Sequence, residues 1–278
     1  MTGLGTGEMV SAMVAEPGTW HYGLVADWWA AFNHGGDEIA YFGRFVEAGQ
    51  PALDAGCGTG RLLLPWLRAG YDVDGCDVSA DMIERCRRQA REEGLEPTLL
   101  VQPLHVLSPP RRYRTAVACG VFGLGSTRAQ DEQALLRLRN VLEPGGRLQL
   151  DVEVPYASHM RWRFWPKRER EQAELPEPWP DTVERRLAPD GSELALRSRA
   201  VSVDPLDQSV VLELKADKWV DGEHVAEETH RLSMRGYFRN ELIMMFERAG
   251  FHDVEVHGDY TALPPTPESE FLVFSAVA

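Results

Sequence analysis

Apolar residues recur at helical spacing over residues 18–48, at Leu24, Trp28 and Phe32 and again at Ile39, Phe42 and Phe45, which predicts helices there. From residue 51 the pattern alternates. Short apolar runs at 51–54, 72–77, 98–102, 115–119 and 147–154 read as strands, with 98–102 and 115–119 expected to be buried. Between them, 61–69, 79–93 and 130–142 carry helical periodicity. Ser79 is placed to cap its helix and Gly94 to stop it, and Glu143-Pro144-Gly145-Gly146 closes the third. Alternation of this kind implies right-handed crossovers and a parallel sheet covered on both faces.

The period then switches. Residues 155–180 are rich in Trp, Pro and charge and read as an irregular or partly helical connection. Period-two runs follow at 193–203, 209–220 and 224–234, with Asp190-Gly191 and Asp221-Gly222 where hairpin turns are needed. The helical pattern resumes at 239–249, stopped by Gly250, and two strands end the chain at 252–257 and 271–276. The expected organisation is one α/β domain over 18–278. Residues 182–235 form an antiparallel β insertion that covers the substrate or makes a dimer contact, and residues 1–17 form a flexible leader.

Composition narrows the function classes. The net charge of -14 would repel nucleic acid unless a basic face were concentrated. The clusters Arg111–Arg112–Arg114 and Arg161–Arg163–Lys167–Arg168–Arg170 read as solvated faces. No long apolar run suggests a membrane span, and the N-terminus lacks the basic and apolar regions of a signal peptide. Cys57, Cys76, Cys86 and Cys119 form no C-x-x-C pair and keep no metal spacing with histidines, so buried free thiols, a cytoplasmic location and no metal are expected. Arginine far outnumbers lysine, as in proteins from GC-rich bacterial genomes.

The chemistry-bearing segment is Leu53-Asp54-Ala-Gly56-Cys-Gly58-Thr-Gly60-Arg61. A strand ends in a glycine turn that lets the backbone approach a ligand, and a helix follows at once. The next strand ends in Asp77, a carboxylate able to accept both hydroxyls of a ribose. A dinucleotide site wants G-x-G-x-x-G, whereas this chain reads G-x-G-x-G behind an acid, which suits a cationic amino-acid ligand better than a phosphate. A P-loop motif is absent from the sequence.

These residues resemble the first signature of class I S-adenosylmethionine-dependent methyltransferases. Gly75-Cys-Asp77-Val78-Ser79-Ala-Asp-Met82 resembles the second, and Leu142-Glu-Pro144-Gly145-Gly146-Arg-Leu148 resembles the loop before the fifth strand. The likeness covers roughly residues 20–155. It implies a Rossmann-like, seven-stranded, mostly parallel sheet and S-adenosyl-L-methionine as cofactor. It also implies Gly56, Gly58 and Gly60 under the methionine part, Asp54 near the ammonium group, Asp77 on the ribose, and Val78 and Met82 around the adenine. Cys119 and Gly120 would face the sulfonium, and an N-terminal tyrosine, Tyr22, would pack beside the cofactor. The family's acid after the third strand is missing. Here stands Val101-Gln102-Pro103-Leu104-His105, so backbone near Leu104 with Gln102 nearby, or His105, would serve the adenine.

Ligands of open α/β sheets bind beyond the carboxyl ends of the strands. That places the acceptor, a small molecule such as a sugar or natural-product intermediate, near residues 151–156 and the N-terminal helix. The base candidates are Glu153, Tyr156 and His21, ahead of His159, His230 and Tyr237. Trp162, Phe164, Trp165 and Trp179 would make an apolar lid. Two other readings stay open: a fold that binds the cofactor but catalyses another step such as a cyclisation, and a non-catalytic binding protein. Methylation of a nucleic-acid base amine is disfavoured, because Cys119-Gly-Val-Phe122 stands where that chemistry uses N/D-P-P-[FYW].

Overall fold

The computed structural model describes residues 19, 21–155 and 162–278. The expected leader at 1–17, together with Tyr156 and His159, lies outside them. Two helices, α1 (Gly23–Phe32) and α2 (Asp37–Ala48), precede the first strand. Then β1 (Ala52–Ala55), α3 (Leu63–Arg68), β2 (Val73–Asp77), α4 (Ala80–Glu92), β3 (Leu99–Val101), β4 (Tyr113–Ala118), α5 (Arg128–Val141) and β5 (Leu142–Glu153) alternate as the sequence pattern requires. After α6 (Lys167–Gln172) come β6 (Arg186–Leu187), β7 (Glu193–Asp204), β8 (Ser209–Val220) and β9 (Glu223–Arg235). The chain ends with α7 (Arg239–Arg248), β10 (His252–Gly258) and β11 (Phe271–Val277).

The main sheet has seven strands in the order β10-β11-β5-β4-β1-β2-β3. Strand β11 runs against both of its neighbours, and the remaining pairings are parallel. Central strands are buried on both faces: Ala52–Ala55 is buried throughout, and so is 115–118 of β4. One apolar cluster, including Leu53, Leu135, Leu150, Phe246 and Phe274, fills one side of the sheet. Another, including Phe42, Leu63, Trp66 and Ile83, fills the other. Burying a side chain of this size is worth roughly 1.5–3 kcal/mol, so these clusters hold the strand ends, and the loops on them, in place.

Helix starts follow local chemistry. Ser79 accepts from the Met82 N–H at 3.1 Å, and Thr127 and Gln130 form a reciprocal capping box at the head of α5. Three expectations need correction. Strand β3 is the sheet's edge, with Leu99 and Leu100 half-buried and Val101 48% exposed, because among the described residues no strand pairs beyond it. Helix α3 begins at Leu63, two residues after Arg61, since 56–62 is a run of turns that closes Gly60 N–H onto Cys57 O at 2.9 Å. The Pro-Gly-Gly turn is absorbed into the start of β5, where its register against β4 shifts between Tyr113 and Thr115.

The insertion is a separate four-stranded antiparallel sheet, β6-β7-β8-β9. Asp221 and Gly222 both take positive φ, 51° and 80°, in the two-residue turn between β8 and β9. Its apolar face, with Val210, Leu212, Leu214, Leu232 and Met234, packs on Leu24 and Val25 of α1 and on Trp162. Loop residue Leu124 bridges Met234, and Gly125 N–H donates to Ser233 O at 2.8 Å, so this sheet is tied to the loop after β4. Among the described residues, no helix is long and apolar enough to cross a membrane.

Candidate active site

The carboxyl ends of β1, β2 and β4 open into a cavity of about 1060 Å³, roofed by the antiparallel sheet and α1. Its floor is the glycine loop. Gly56 has φ 95°, and a Cβ there would lie 2.3 Å from Val121 Cγ1, so only glycine lets the loop pass beneath the segment after β4. Gly58 lines the cavity. Gly60 does not; a Cβ on it would strike Leu64 and Cys86, so it is a packing glycine.

Two carboxylates sit side by side at this end. Asp77 accepts from Gly58 N–H at 2.9 Å and from Ser79 N–H at 2.8 Å, so backbone donors hold it at the mouth of β2. Asp54 is 2% exposed, accepts from the Leu63 N–H, and its Oδ2 has no hydrogen-bond partner among the described residues. Burial, with the Asp77 charge beside it, pushes the Asp54 carboxyl up to about 8. Burial raises Asp77 as well, against its backbone donors.

Val78, Met82, Pro103, Leu104 and His105 form a mostly apolar slot next to Asp77. Gln102 also lines it; its Oε1 accepts from Ser108 N–H at 2.9 Å, which fixes the side chain and turns its amide nitrogen away from that bond. Cys119 and Gly120 complete the floor. Gly120 has φ 66°, and a Cβ there would meet open space. Arg61 reaches across, ion-paired with Glu38 of α2 and donating to Cys119 Sγ at 3.5 Å. Behind Cys119 and Gly120 lies Asp151, which accepts from Gly120 N–H at 2.5 Å, from the Cys119 thiol at 3.2 Å and from the Tyr260 hydroxyl at 2.5 Å.

S-adenosylmethionine fits this end on the structure's own terms. The unpartnered Asp54 oxygen wants a cationic donor, Asp77 stands at the wall of the slot, the Gly120 backbone leaves room, and the slot between Val78, Met82 and Leu104 suits a flat base.

The other end of the cavity is walled by Phe122, Leu124, Leu196, Leu212, Leu214 and Met234, with the Arg199 guanidinium over the Trp179 ring at 4.4 Å. Its ionic groups are mostly neutralised in pairs: Arg163 with Glu177, and Arg199 with Glu213 at 2.6 Å. Asp131, 4% exposed, also lines the cavity and is held by the Ser126 hydroxyl at 2.6 Å and the Tyr237 hydroxyl at 2.5 Å.

Of the expected site residues, the structure gathers His21, Asp54, Gly56, Gly58, Asp77, Val78, Met82, Gln102, Leu104, Cys119 and Gly120 on the wall. Tyr22 is not among the wall residues. Its backbone is extended and its ring packs 3.9 Å from His230. Glu153 is not on the wall either, because the end of β5 is covered by Tyr260 and by β11, where Glu153 faces Phe271. His21 hydrogen-bonds Thr19 at 3.0 Å, and burial lowers it to about 4, so it is a weak base. Tyr237 is occupied by Asp131. Of the four lid aromatics only Trp179 lines the cavity; Trp162 is 5% exposed and packs against Gly236 and Trp165. All four cysteines are buried and free. Asp151 belongs to the 151–156 segment expected near the acceptor and lies directly behind Cys119 and Gly120. Asp131, and the reach of Arg61 to Glu38 and Cys119, carry no spacing signal, because both depend on tertiary packing.

Residues 52–146 match the family model described as a methyltransferase domain. Methyltransferase GfsG of Streptomyces halstedii is 32% identical over 114 residues, 39% of this chain and 40% of that protein. An S-adenosyl-L-methionine-dependent Diels-Alderase, iccD of Talaromyces variabilis, is 33% identical over 111 residues, 39% of this chain and 38% of that protein. The matched stretch thus spans about two fifths of each of these relatives. Over nearly the whole chain the fold is shared with the CcbJ methyltransferase of Streptomyces caelestis (TM-score 0.67, 21% identity, 94% of this chain and 98% of that one). It is also shared with the sugar N-methyltransferase KedS8 of Streptoalloteichus sp. (TM-score 0.60, 15% identity, 87% of each chain).

Proposed function

We propose that this chain, a class I S-adenosylmethionine-dependent methyltransferase by its fold and by its domain at residues 52–146, moves a methyl group to a nitrogen or oxygen atom of a small acceptor, a sugar or natural-product intermediate. The observation that carries the reading is the continuity of the cavity: the carboxylate-and-glycine end runs directly into an apolar end under the antiparallel sheet. When bound, S-adenosylmethionine supplies an activated methyl group, so the protein's part is alignment and exclusion of water.

Asp77 would hold the ribose hydroxyls, Asp54 Oδ2 the ammonium group and Arg61 the carboxylate. Val78, Met82 and Leu104 would enclose the adenine, with the Gln102 amide in place of the missing acid. Trp28, Trp29 and α1 close the entrance. Helix α1 is clamped there by Gly23 N–H on Asp81 at 2.7 Å, Arg85 on Asp27 at 2.6 Å and Leu24 N–H on Glu228 at 2.8 Å. The acceptor body would lie against Leu196, Leu212, Leu214, Met234 and Trp179.

Of the base candidates among the described residues, His21 is lowered to about 4 and Tyr237 is engaged by Asp131, which favours an amine acceptor that attacks once neutral over an alcohol that must be deprotonated. KedS8 is named as a sugar N-methyltransferase, which agrees with this class of chemistry. The test is incubation with methyl-labelled S-adenosylmethionine and matched amino and hydroxy sugars. Label transfer and S-adenosylhomocysteine formation support the reading; tight binding with no transfer to any acceptor overturns it. The relation to the Diels-Alderase makes one other outcome informative: cyclisation of a polyene without S-adenosylhomocysteine would assign a non-methylating role.

A further inference from the structure

A buried carboxylate usually has a countercharge or gives up its charge. Asp151 sits at the end of β5, 2% exposed, and no Lys or Arg nitrogen among the described residues forms an ion pair with it. It does have three donors: Gly120 N–H at 2.5 Å on Oδ1, with the Tyr260 hydroxyl at 2.5 Å and the Cys119 thiol at 3.2 Å on Oδ2. These three donors favour the anion, against the burial that raises the Asp151 carboxyl. Arg61 touches the same thiol, but its charge is already matched by Glu38.

Two of the three donors come from Cys119 and Gly120, which are themselves cavity wall. Among the described residues, no atom lies within 4 Å of where a Cβ on Gly120 would stand. Only one peptide therefore separates the Asp151 charge from whatever occupies the floor. In surroundings of low polarity such a charge acts on a cation in the cavity far more strongly than it would through water.

We propose that Asp151 is a positioning residue which, through Gly120 and Cys119, fixes the end of β4 and biases the cavity towards the positively charged methyl donor over its neutral demethylated product; this rests on the cofactor reading above. The two compounds differ by one methyl group and one positive charge, so they share every contact except the one that senses the sulfonium. A negative wall behind that position favours the donor and helps the spent product to leave.

The experiment is calorimetric binding of S-adenosylmethionine and of S-adenosylhomocysteine to the wild type, Asp151→Asn and Tyr260→Phe, with thermal melts alongside. In Asp151→Asn the size is kept and the charge removed: affinity for S-adenosylmethionine falls about tenfold while that for S-adenosylhomocysteine stays within about twofold. In Tyr260→Phe one donor is lost and the charge remains, so the ratio of the two affinities is kept. Equal loss of both compounds in Asp151→Asn, or no loss of either, overturns the proposal, as does a ratio moved by Tyr260→Phe to the same extent. If Asp151→Asn does not fold, the wild type still decides, because S-adenosylhomocysteine binding more than about tenfold tighter than the charged donor overturns it. Binding of neither compound by the wild type takes down the cofactor reading itself, a result distinct from all of these.

Discussion

Asp77 and Gly58 are joined across two strands: the carboxylate Oδ2 at the end of β2 accepts the amide N–H of the loop that leaves β1, at 2.9 Å. The glycine loop is thus shaped by the same side chain that is offered to the ribose. Replacing Asp77 with alanine removes both functions. The expected result is a loss of S-adenosylhomocysteine affinity of about 100-fold, with a stability loss of about 1–3 kcal/mol from the two backbone donors left unpaired. Asp77→Asn keeps the acceptor for Gly58 and loses less of each. Calorimetry and thermal melts separate the two effects.

Gly56 gives a sharper steric test. Its φ of 95° and the 2.3 Å approach of a hypothetical Cβ to Val121 mean that Gly56→Ala must move the segment after β4. Because that segment is cavity wall, cofactor binding falls below detection and the melting temperature drops. Gly58→Ala has φ 54° but its nearest new contact is Met82 Cε at 3.8 Å. It carries only the left-handed backbone penalty, about 1–2 kcal/mol, and folds. Equal behaviour of the two variants would count against the loop geometry.

The two variants also mark what the sequence reveals and what it hides. The turn at Gly56 and Gly58 and the acid at Asp77 are legible because local chain geometry dictates them: glycine where φ is positive, a carboxylate where a strand ends beside the loop. Strand and helix alternation is legible for the same reason, through periodicity. Edge status is not. Val101 reads as a core strand residue and is exposed, because what lies beyond β3 is decided by topology. Nor could the pattern separate His21, which lines the cavity, from its neighbour Tyr22, whose ring packs on His230. Asp131 looks like an ordinary helix-start acid until Tyr237, from 106 residues away, is seen to donate to it.

That last pair yields a stability prediction. Tyr237 is 1% exposed and its hydroxyl serves a 4% exposed carboxylate. Tyr237→Phe leaves Asp131 with the Ser126 hydroxyl and less support for its charge, and the fold loses about 1–3 kcal/mol. Burial already raises the Asp131 carboxyl, so the loss is greatest where Asp131 is ionised and shrinks in acid. Denaturant titrations of both proteins at neutral and acid pH check the sign.

At the proposed acceptor end, the Arg199 guanidinium lies 4.4 Å over the ring of Trp179, which forms cavity wall remote in sequence from the glycine loop. Trp179→Ala widens that end without touching Asp54, Asp77 or Gly58. With whichever acceptor the panel identifies, KM for that acceptor rises about tenfold, while affinity for S-adenosylhomocysteine stays within about twofold. A variant that loses the cofactor instead would place Trp179 with the wrong half of the cavity.

Asp54 links cofactor binding to pH. Its carboxyl is raised to about 8 in the free fold by burial first and the Asp77 charge second, from an ordinary value of 3.8. A raised carboxyl keeps its proton in the fold while the unfolded chain has released it. The stability this contributes is therefore present in acid and is lost as pH rises from about 4 to about 8, at no more than about 1.4 kcal/mol per pH unit. A cation that binds the Asp54 anion reverses the preference, so binding below pH 8 must release a proton. Affinity for S-adenosylmethionine accordingly climbs from pH 6 to pH 8 and then levels. Calorimetry at pH 7 in two buffers of different ionisation enthalpy gives different apparent heats. In Asp54→Asn the released proton disappears, the affinity becomes flat over this range, and the melting temperature of the free protein loses the part of its pH slope that Asp54 supplies. A wild-type heat that is independent of buffer would mean that Asp54 is already ionised before the cofactor arrives.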